Sequence, residues 1–224
     1  MAEDLLLLVT DDASGRLLVP AAQVDAGLGG ANLAELALLN KVDLSGEGEG
    51  GKPGRIVVRD SSPVGDEVLD AALQILIARQ GSKPSMAIRP LSKNLRQRLY
   101  QRLAASGVVR AGQGRILGIF PTHTWPAQDA HHEAQVRLLL AQALAQQQVP
   151  DARIAALIAL LHALRCEHQI VDPRAYGLSK RQLTARAEEI AKGGWASEAV
   201  RTAITEIIAA VAATTAAAAA ASGG

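Results

Sequence analysis

The sequence predicts a mostly α, single-domain fold with small β insertions. Apolar residues make up 49 % of the 224 residues and charged residues 20 %, a balance typical of a chain that buries a core. Leucines recur at helical spacing through most of the sequence. Short β-prone runs separated by glycine-rich turns occur in two places. No linker is long enough to divide the chain into two domains.

The first part of the chain alternates helical and extended patterns. An apolar run at residues 5–9 suits a small hairpin or a helix end, and the leucines of residues 25–40 predict a helix packed on more than one side. Residues 42–44 and 56–58 predict two strands joined by a glycine-rich loop. Residues 66–78 then predict an amphipathic helix.

A basic helix and a hairpin follow. Ser92 is predicted to cap a helix that runs to about residue 105, with Leu95, Leu99 and Leu103 on its buried face. Residues 108–120 then have the rhythm of a β-hairpin with its turn at residues 111–114, and Pro121 ends it.

The rest of the chain predicts four helices, at residues 130–148, 152–168, 179–192 and 197–213. The alanine- and glycine-rich residues 214–224 are expected to form a fraying tail after a domain of residues 1–213. We expect no transmembrane helix, because the most apolar run is short and mostly alanine.

Charge and composition exclude several function classes. Lys and Arg total 23 and Asp and Glu 22, so no global field favours nucleic acid. Aromatic residues are 2 % of the chain, too few for base stacking. The lone Cys166 forms no internal disulfide and indicates the reducing cytoplasm. The abundance of alanine and arginine is typical of a bacterial genome rich in G and C.

No catalytic or metal-binding motif is evident, so we predict no enzyme activity, no cofactor and no metal. The glycine-rich loop at residues 46–54 lacks the order of a phosphate-binding loop. His162 and Cys166 lie four residues apart, which suggests zinc ligands, but a hydrogen-bonded core histidine is the favoured interpretation.

The basic helix is the most informative feature. Lys93 and Arg96 are predicted on one flank, where they could converge on one phosphate, and Arg98 and Arg102 on the other. A solvated helix face is the alternative. The order of helix, glycine and hairpin also describes a winged-helix nucleic-acid module, but residues 116–128 carry no Asp, Glu, Lys or Arg. That stretch suits burial, a partner subunit or a bilayer surface.

Several segments together resemble the Golgi phosphoprotein 3 family of lipid-binding adaptors, over residues 5–211. They are Gly-Leu-Gly-Gly-Ala-Asn-Leu-Ala-Glu-Leu-Ala-Leu at 27–38, Pro-Val-Gly-Asp at 63–66, Asn-Leu-Arg-Gln-Arg-Leu at 94–99, the hairpin to Phe120, and residues 153–163. The resemblance implies a mainly α single domain, with a helical core surrounded by amphipathic helices and a projecting β-hairpin. Its eukaryotic members bind phosphatidylinositol 4-phosphate at Golgi membranes, hold glycosyltransferases there by their cytoplasmic tails, and are not catalysts.

The resemblance also implies which residues form the site. The family's phosphate pocket uses a Trp, an Arg and two basic residues spaced by three, and the basic pair matches Lys93 and Arg96. Pro20 stands at the Trp position and Gly29 at the Arg position, so one aromatic wall and one cation are missing. In the family the hairpin serves in oligomer contacts and membrane insertion, which here implicates its apolar residues Ile116, Leu117, Ile119 and Phe120.

We therefore expect a bacterial, cytoplasmic, peripheral membrane adaptor. Its expected partners are an anionic lipid or phosphate-containing ligand, the tails of client membrane proteins and further copies of the chain, with no nucleic acid. A protein-interaction scaffold that has lost lipid binding and a winged-helix-like nucleic-acid binder are the alternatives.

Overall fold

The computed structural model describes residues 1–46, 52–116, 120–192 and 198–222, and ten α-helices occupy most of these residues. The mainly α, single-domain prediction is confirmed. The helices are α1 (Ala2–Leu8), α2 (Ala21–Leu38), α3 (Glu67–Ile77), α4 (Pro84–Ser92), α5 (Leu95–Ala105), α6 (His131–Ala145), α7 (Ala152–Ala163), α8 (Glu167–Ile170), α9 (Lys180–Lys192) and α10 (Glu198–Ser222). A 3-10 helix, Pro173–Tyr176, precedes α9.

Helix α2 forms the centre of the fold. It packs against α1, α3, α4, α5, α7 and α10. Its buried residues, among them Val24, Leu28, Leu33 and Leu36, lie on several sides of the helix. A helix that is apolar on all sides is enclosed by a core, so the prediction of a helix packed on more than one side is confirmed.

Two glycines let neighbouring helices approach α2 closely. A Cβ atom at Gly29 would lie 2.6 Å from Ser92 Oγ and 2.7 Å from the carbonyl oxygen of Ile88, both on α4. A Cβ atom at Gly30 would overlap Val211 of α10. The glycine-rich stretch of α2 therefore serves helix packing.

Two small antiparallel sheets complete the described part. Strands β1 (Val42–Leu44) and β2 (Ile56–Val58) pair as predicted, and residues 47–51 of their connection lie outside the described residues. Strands β3 (Gly112–Ile116) and β4 (Phe120–Thr124) form the hairpin, with Gly112 opposite Thr124. Ile116 ends β3 and Phe120 begins β4, whereas Leu117 and Ile119 lie outside the described residues.

The predicted position of the hairpin turn is wrong. Residues 112–114 belong to β3, and Pro121 lies within β4 opposite Arg115 instead of ending the hairpin. Backbone bonds at the base set the register: the Arg110 N–H donates to the Pro126 carbonyl and the Gln128 N–H to the Val108 carbonyl, both at 2.9 Å. A two-stranded sheet has outer edges that need no donor, so proline fits there.

The predicted basic helix begins later than expected, at Leu95, after the separate helix α4. Helix α4 ends at Ser92, whose hydroxyl donates to the Ile88 carbonyl at 2.6 Å, so Ser92 does not cap the next helix. Asn94 takes a left-handed conformation, with φ of 57°, and precedes α5. Asparagine tolerates this conformation better than most residues. Lys93 and Arg96 therefore lie on either side of a helix junction, not on one helix face.

Other elements differ from the predicted bounds mainly at their ends. The apolar run at the start forms α1, which resolves the choice between hairpin and helix. The helix predicted over residues 152–168 ends at Ala163, before Arg165 takes a left-handed conformation with φ of 56°. Helix α10 continues to Ser222, and fraying of its alanine-rich end stays a prediction.

Candidate ligand pocket

A cavity of about 950 Å³ opens beside the start of α5. Its walls come from the loop after α1, the first turns of α2, the α4–α5 junction, α5 and the base of the hairpin. Among the side chains that line it are Asp25 of α2, Arg96 and Tyr100 of α5, and Trp125, which follows β4. This Arg96 pocket is thus built from segments that are far apart in the sequence.

An ion pair forms the charged wall of the Arg96 pocket. Arg96 Nε lies 3.0 Å from Asp25 Oδ1, and the two side chains are 32 % and 36 % exposed. Burial raises the pKa of Asp25 above its usual range, although Arg96 opposes this shift. The guanidinium is partly open to the cavity and is already oriented by the carboxylate.

Two stacked aromatic rings form the apolar wall. The rings of Tyr100 and Trp125 lie 4.9 Å apart between centroids, with 5° between their planes. The Thr10 hydroxyl donates to the Leu6 carbonyl at 2.6 Å, so the Tyr100 hydroxyl donates to Thr10 at 2.7 Å. Burial raises the pKa of Tyr100. The stack is thereby anchored to α1 and holds the indole in place.

A tight loop joins the hairpin base to the rest of the pocket. Gly15 has φ of +65°, and a Cβ atom there would overlap the backbone of Trp125. The Trp125 N–H donates to the Gly15 carbonyl at 3.1 Å, and the Ala127 N–H donates to the Asp12 carbonyl at 2.9 Å. Glycine is required at position 15 by both its backbone conformation and this close approach. The pocket is therefore preformed by backbone contacts.

The predicted site residues occupy different environments. Arg96 lines the pocket, while Lys93 is exposed beside it and makes no side-chain hydrogen bond or ion pair within the described residues. Pro20 is exposed before the first turn of α2, and Gly29 is buried against α4. Neither Pro20 nor Gly29 is among the described residues that line the cavity.

Asp25, Tyr100 and Trp125 line the pocket, although none of them is among the site residues predicted from the sequence. Tyr100 and Trp125 could have been identified from the sequence, because aromatic residues are scarce in this chain and each one has a large packing effect. No sequence feature marked Asp25 as a site residue, because an aspartate in the first turns of a helix is common.

Arg102, on the other basic flank of α5, forms ion pairs within the fold. Arg102 Nε lies 2.6 Å from Glu3 Oε1, and its Nη1 lies 2.8 Å from Asp66 Oδ2. Glu3 lies on α1, and Asp66 caps α3 by accepting hydrogen bonds from two backbone N–H groups of its first turn. Arg102 therefore bridges three helices and has the contacts of a structural residue.

His162 and Cys166, the candidate zinc ligands, both lie near Glu167. Cys166 is buried, and burial raises the pKa of its thiol to about 12. His162 Nδ1 lies 3.6 Å from Glu167 Oε1, and this neighbour raises the pKa of the imidazole. Within the described ranges no three His, Cys, Asp or Glu side chains are grouped closely enough to hold a metal ion.

Comparisons with known proteins complete the description. A family model described as Golgi phosphoprotein 3 (GPP34) matches residues 1–207, which include every described residue of the pocket. No curated protein matches the chain. Among the helices of the described residues, none has the length and apolar character needed to cross a membrane.

Proposed function

Because the chain belongs to the Golgi phosphoprotein 3 family, we propose that it is a peripheral membrane adaptor that binds an anionic lipid headgroup at the Arg96 pocket. Family membership fits a Golgi-phosphoprotein-like adaptor, in a family known as non-enzymatic. The observation that carries the proposal is a guanidinium held in a preformed cavity at the base of the hairpin. The adaptor is cytoplasmic and brings client proteins, through their tails, to the membrane surface.

The charged part of this mechanism uses Lys93 and Arg96. Arg96 offers a planar fork that suits phosphate, and Lys93 adds an exposed point charge beside the pocket. Two cations near an anionic leaflet contribute about 1 kcal/mol each. Pro20 and Gly29 are not among the described residues that line the pocket, and they supply neither charge nor an aromatic ring.

The apolar part uses the hairpin. Trp125 lines the pocket directly after β4, so the hairpin starts at the pocket edge. Apolar residues at positions 116–120 contribute about 1.5–3 kcal/mol each when fully buried in lipid. The charged and apolar contributions each give marginal binding alone. Together they hold the protein on a membrane, and assembly of several copies through the hairpin raises the overall affinity further.

Vesicle flotation tests the charged part. The protein is floated with vesicles of neutral lipid, bulk anionic lipid, or phosphatidylinositol 4-phosphate, at low and high salt. The double variant Lys93→Ala, Arg96→Ala is expected to lose most flotation at low salt. A matched control removes one lysine and one arginine from an exposed surface of α9, Lys180→Ala and Arg181→Ala, and should float as the wild type does. Failure of the wild type to float with any vesicle would overturn the proposal in favour of a protein-interaction scaffold.

Deletion of residues 116–120 tests the apolar part. Salt screens the charged contribution and leaves the apolar one, so the deletion should reduce flotation at high salt more than the double charge variant does. The melting temperature of the deletion variant is measured beside that of the wild type to show that the domain still folds. Equal recovery on vesicles after the deletion would contradict a membrane role for the hairpin.

A further inference from the structure

Two acidic side chains meet outside the Arg96 pocket, where the loop after α1 approaches the first turn of α6. The side chains of Asp12 and Glu133 are in hydrogen-bonding contact, although both are carboxyl groups. A carboxylate accepts hydrogen bonds but cannot donate one. The contact is therefore a hydrogen bond when one of the two groups holds a proton, and it is repulsive when both are ionised.

Glu133 is the buried member of this pair. Its side chain is 3 % exposed, whereas Asp12 is exposed and in contact with solvent. Glu133 Oε1 accepts from Arg137 Nε at 2.7 Å, and the same guanidinium also donates to the Ile170 carbonyl at 3.0 Å. Burial, together with the charge of Asp12, outweighs Arg137 and raises the pKa of Glu133. The pair therefore keeps a proton at a pH where an exposed glutamate has lost it.

The other charged groups around this pair have their own partners. Asp11, beside Asp12 in the loop, accepts from the N–H and the hydroxyl of Ser14 at 2.8 and 2.6 Å. These bonds from Ser14, with the charge of Arg137, lower the pKa of Asp11. Charged groups on the helices packed against α6 also pair elsewhere, namely Asp4 with His132 and Arg153, and Arg186 with Glu189. Of the two loop carboxyl groups, Asp12 is thus the one whose contact with α6 depends on a proton.

The backbone of the same loop forms one wall of the Arg96 pocket. The Asp12 carbonyl accepts from the Ala127 N–H at 2.9 Å, and the Gly15 carbonyl accepts from the Trp125 N–H at 3.1 Å. Gly15 and Trp125 both line the cavity. A change in the contact between Asp12 and Glu133 therefore acts on the segment that holds the hairpin base in place.

We propose that Asp12 and Glu133 form a proton-dependent latch, which holds the loop of residues 11–16 against α6 and the hairpin base while the two groups share a proton. When this proton leaves to water, the two adjacent carboxylates repel each other and the loop separates from α6 more often. The Arg96 pocket is then firmest at mildly acidic pH and loosens as the pH rises. This inference rests on the proposed function for the role of the cavity as a ligand site.

The sign follows from linkage between proton binding and folding. The folded pKa of Glu133 is raised, so its contribution to stability is present below the ordinary value of 4.5 and is lost as pH rises through the folded pKa. The loss falls first on the loop, because the bonds of the loop to the hairpin base are few and local.

Hydrogen exchange of the Trp125 and Ala127 backbone N–H groups tests the latch. Exchange is followed by NMR between about pH 4.5 and about pH 8 and corrected for its intrinsic pH dependence. In the wild type, protection of both N–H groups is expected to fall about tenfold over this range, the change that one lost hydrogen bond to a charged group produces. Asp12→Asn should remove the fall, because an amide donates to the Glu133 carboxylate without titrating. Wild-type protection that stays constant over the range would overturn the inference.

Two further variants keep the assignment falsifiable. Asp11→Asn is the matched control, because it removes the neighbouring loop carboxyl group, whose partner is Ser14, and it should keep the fall of the wild type. Glu133→Gln places the amide on the buried side of the pair and should also remove the fall. Because it breaks the pair with Arg137, its melting temperature is measured as well. A fall that survives in both Asp12→Asn and Glu133→Gln, or that disappears in Asp11→Asn, would overturn the assignment to this pair.

Vesicle flotation separates failure of the latch from failure of the proposed function. On vesicles that contain phosphatidylinositol 4-phosphate, Asp12→Asn should float better than the wild type at about pH 8 and as well as the wild type at about pH 4.5. Comparison of two proteins on the same vesicles cancels the effect of pH on the lipid. If the exchange results are as expected but no vesicle floats the wild type, the latch stands and the proposed function fails. If vesicles float the wild type but exchange shows no pH dependence, the proposed function stands and the latch fails.

Discussion

Arg96 and Arg102 lie on the same helix, and each pairs with an aspartate from another helix, yet the two regions differ. Arg102 contacts two carboxylates, Glu3 and Asp66, and bridges three helices. Arg96 contacts the carboxylate of Asp25 and lies along the pocket. An ion pair therefore does not by itself distinguish a structural arginine from a ligand-binding one. The number of partners and the adjoining cavity make that distinction.

The pKa values of the two aspartates are shifted in opposite directions. Burial opposes ionisation of Asp66, but the Leu69 N–H and Arg102 outweigh it, so the pKa of Asp66 is lowered. At Asp25 burial has the larger effect, and the pKa is raised although Arg96 lies beside it. The surroundings of Asp66 favour its charged form, whereas burial disfavours the charged form of Asp25.

Substitution of Gly29 should give the largest effect, because it tests how closely α2 and α4 must pack. The Arg expected from the family resemblance does not fit here, because a Cβ atom at Gly29 meets Ser92 and the Ile88 backbone. Gly29→Arg should lower the free energy of unfolding by about 3 kcal/mol, measured by urea denaturation. Gly27→Ala is the control, because its Cβ would meet flexible leucine side chains at 3.0 Å or more, and it should cost less. A stable Gly29→Arg protein with tighter vesicle binding would show that the helices can separate.

Single alanine substitutions of the two arginines should separate stability from binding. Arg102→Ala leaves Glu3 and Asp66 without their shared partner and should lower the free energy of unfolding by about 1–2 kcal/mol, with vesicle flotation unchanged. Arg96→Ala should cost less than about 1 kcal/mol, because it breaks one ion pair whose side chains are about one third exposed, but it should lower flotation. If Arg96→Ala costs more stability than Arg102→Ala, the distinction between the two regions is lost.

Most helices and their buried faces could be predicted from the sequence because helical periodicity is a local signal, but helix α4, at Pro84–Ser92, was not predicted. The buried face of α5, with Leu95, Leu99 and Leu103, is as the spacing predicts. The cap of α3 is also local, since Asp66 accepts hydrogen bonds from residues two and three positions later. The central position of α2 follows from its nearly uniform apolar character.

The pocket could not be predicted in full, because backbone details and distant contacts create it. The α4–α5 junction depends on one left-handed residue, Asn94, which the leucine pattern does not reveal. The hairpin register depends on bonds across its base, between residues 108–110 and 126–128, so a glycine pair suggested the turn in the wrong place. Trp125 reaches the pocket through that same base, at a position with no local helical or strand signal.

The smallest expected effect is a difference in the pH dependence of stability. It follows from the lowered pKa of Asp66 and the raised pKa of Asp25, and it tests the comparison of the Arg102 and Arg96 regions. Asp66→Asn keeps the helix cap but removes the titrating group, because asparagine caps helices about as well as aspartate. The folded pKa of Asp66 is lowered, so its contribution to stability is present above the ordinary value of 3.8 and is lost as pH falls through the folded pKa. The stability advantage of the wild type over Asp66→Asn should therefore shrink as the pH falls.

Asp25→Asn should show the reverse trend. The folded pKa of Asp25 is raised, so the folded state binds the proton more tightly than the unfolded state does, and this contribution is lost as pH rises through the folded pKa. The stability of the wild type relative to Asp25→Asn should therefore increase as the pH falls toward 3.8. Urea denaturation of the three proteins between about pH 7 and about pH 3 measures both differences. Parallel trends for the two variants would mean that the charged form of Asp25 stabilises the fold through Arg96, as that of Asp66 does through Arg102. The difference between the two regions would then be lost.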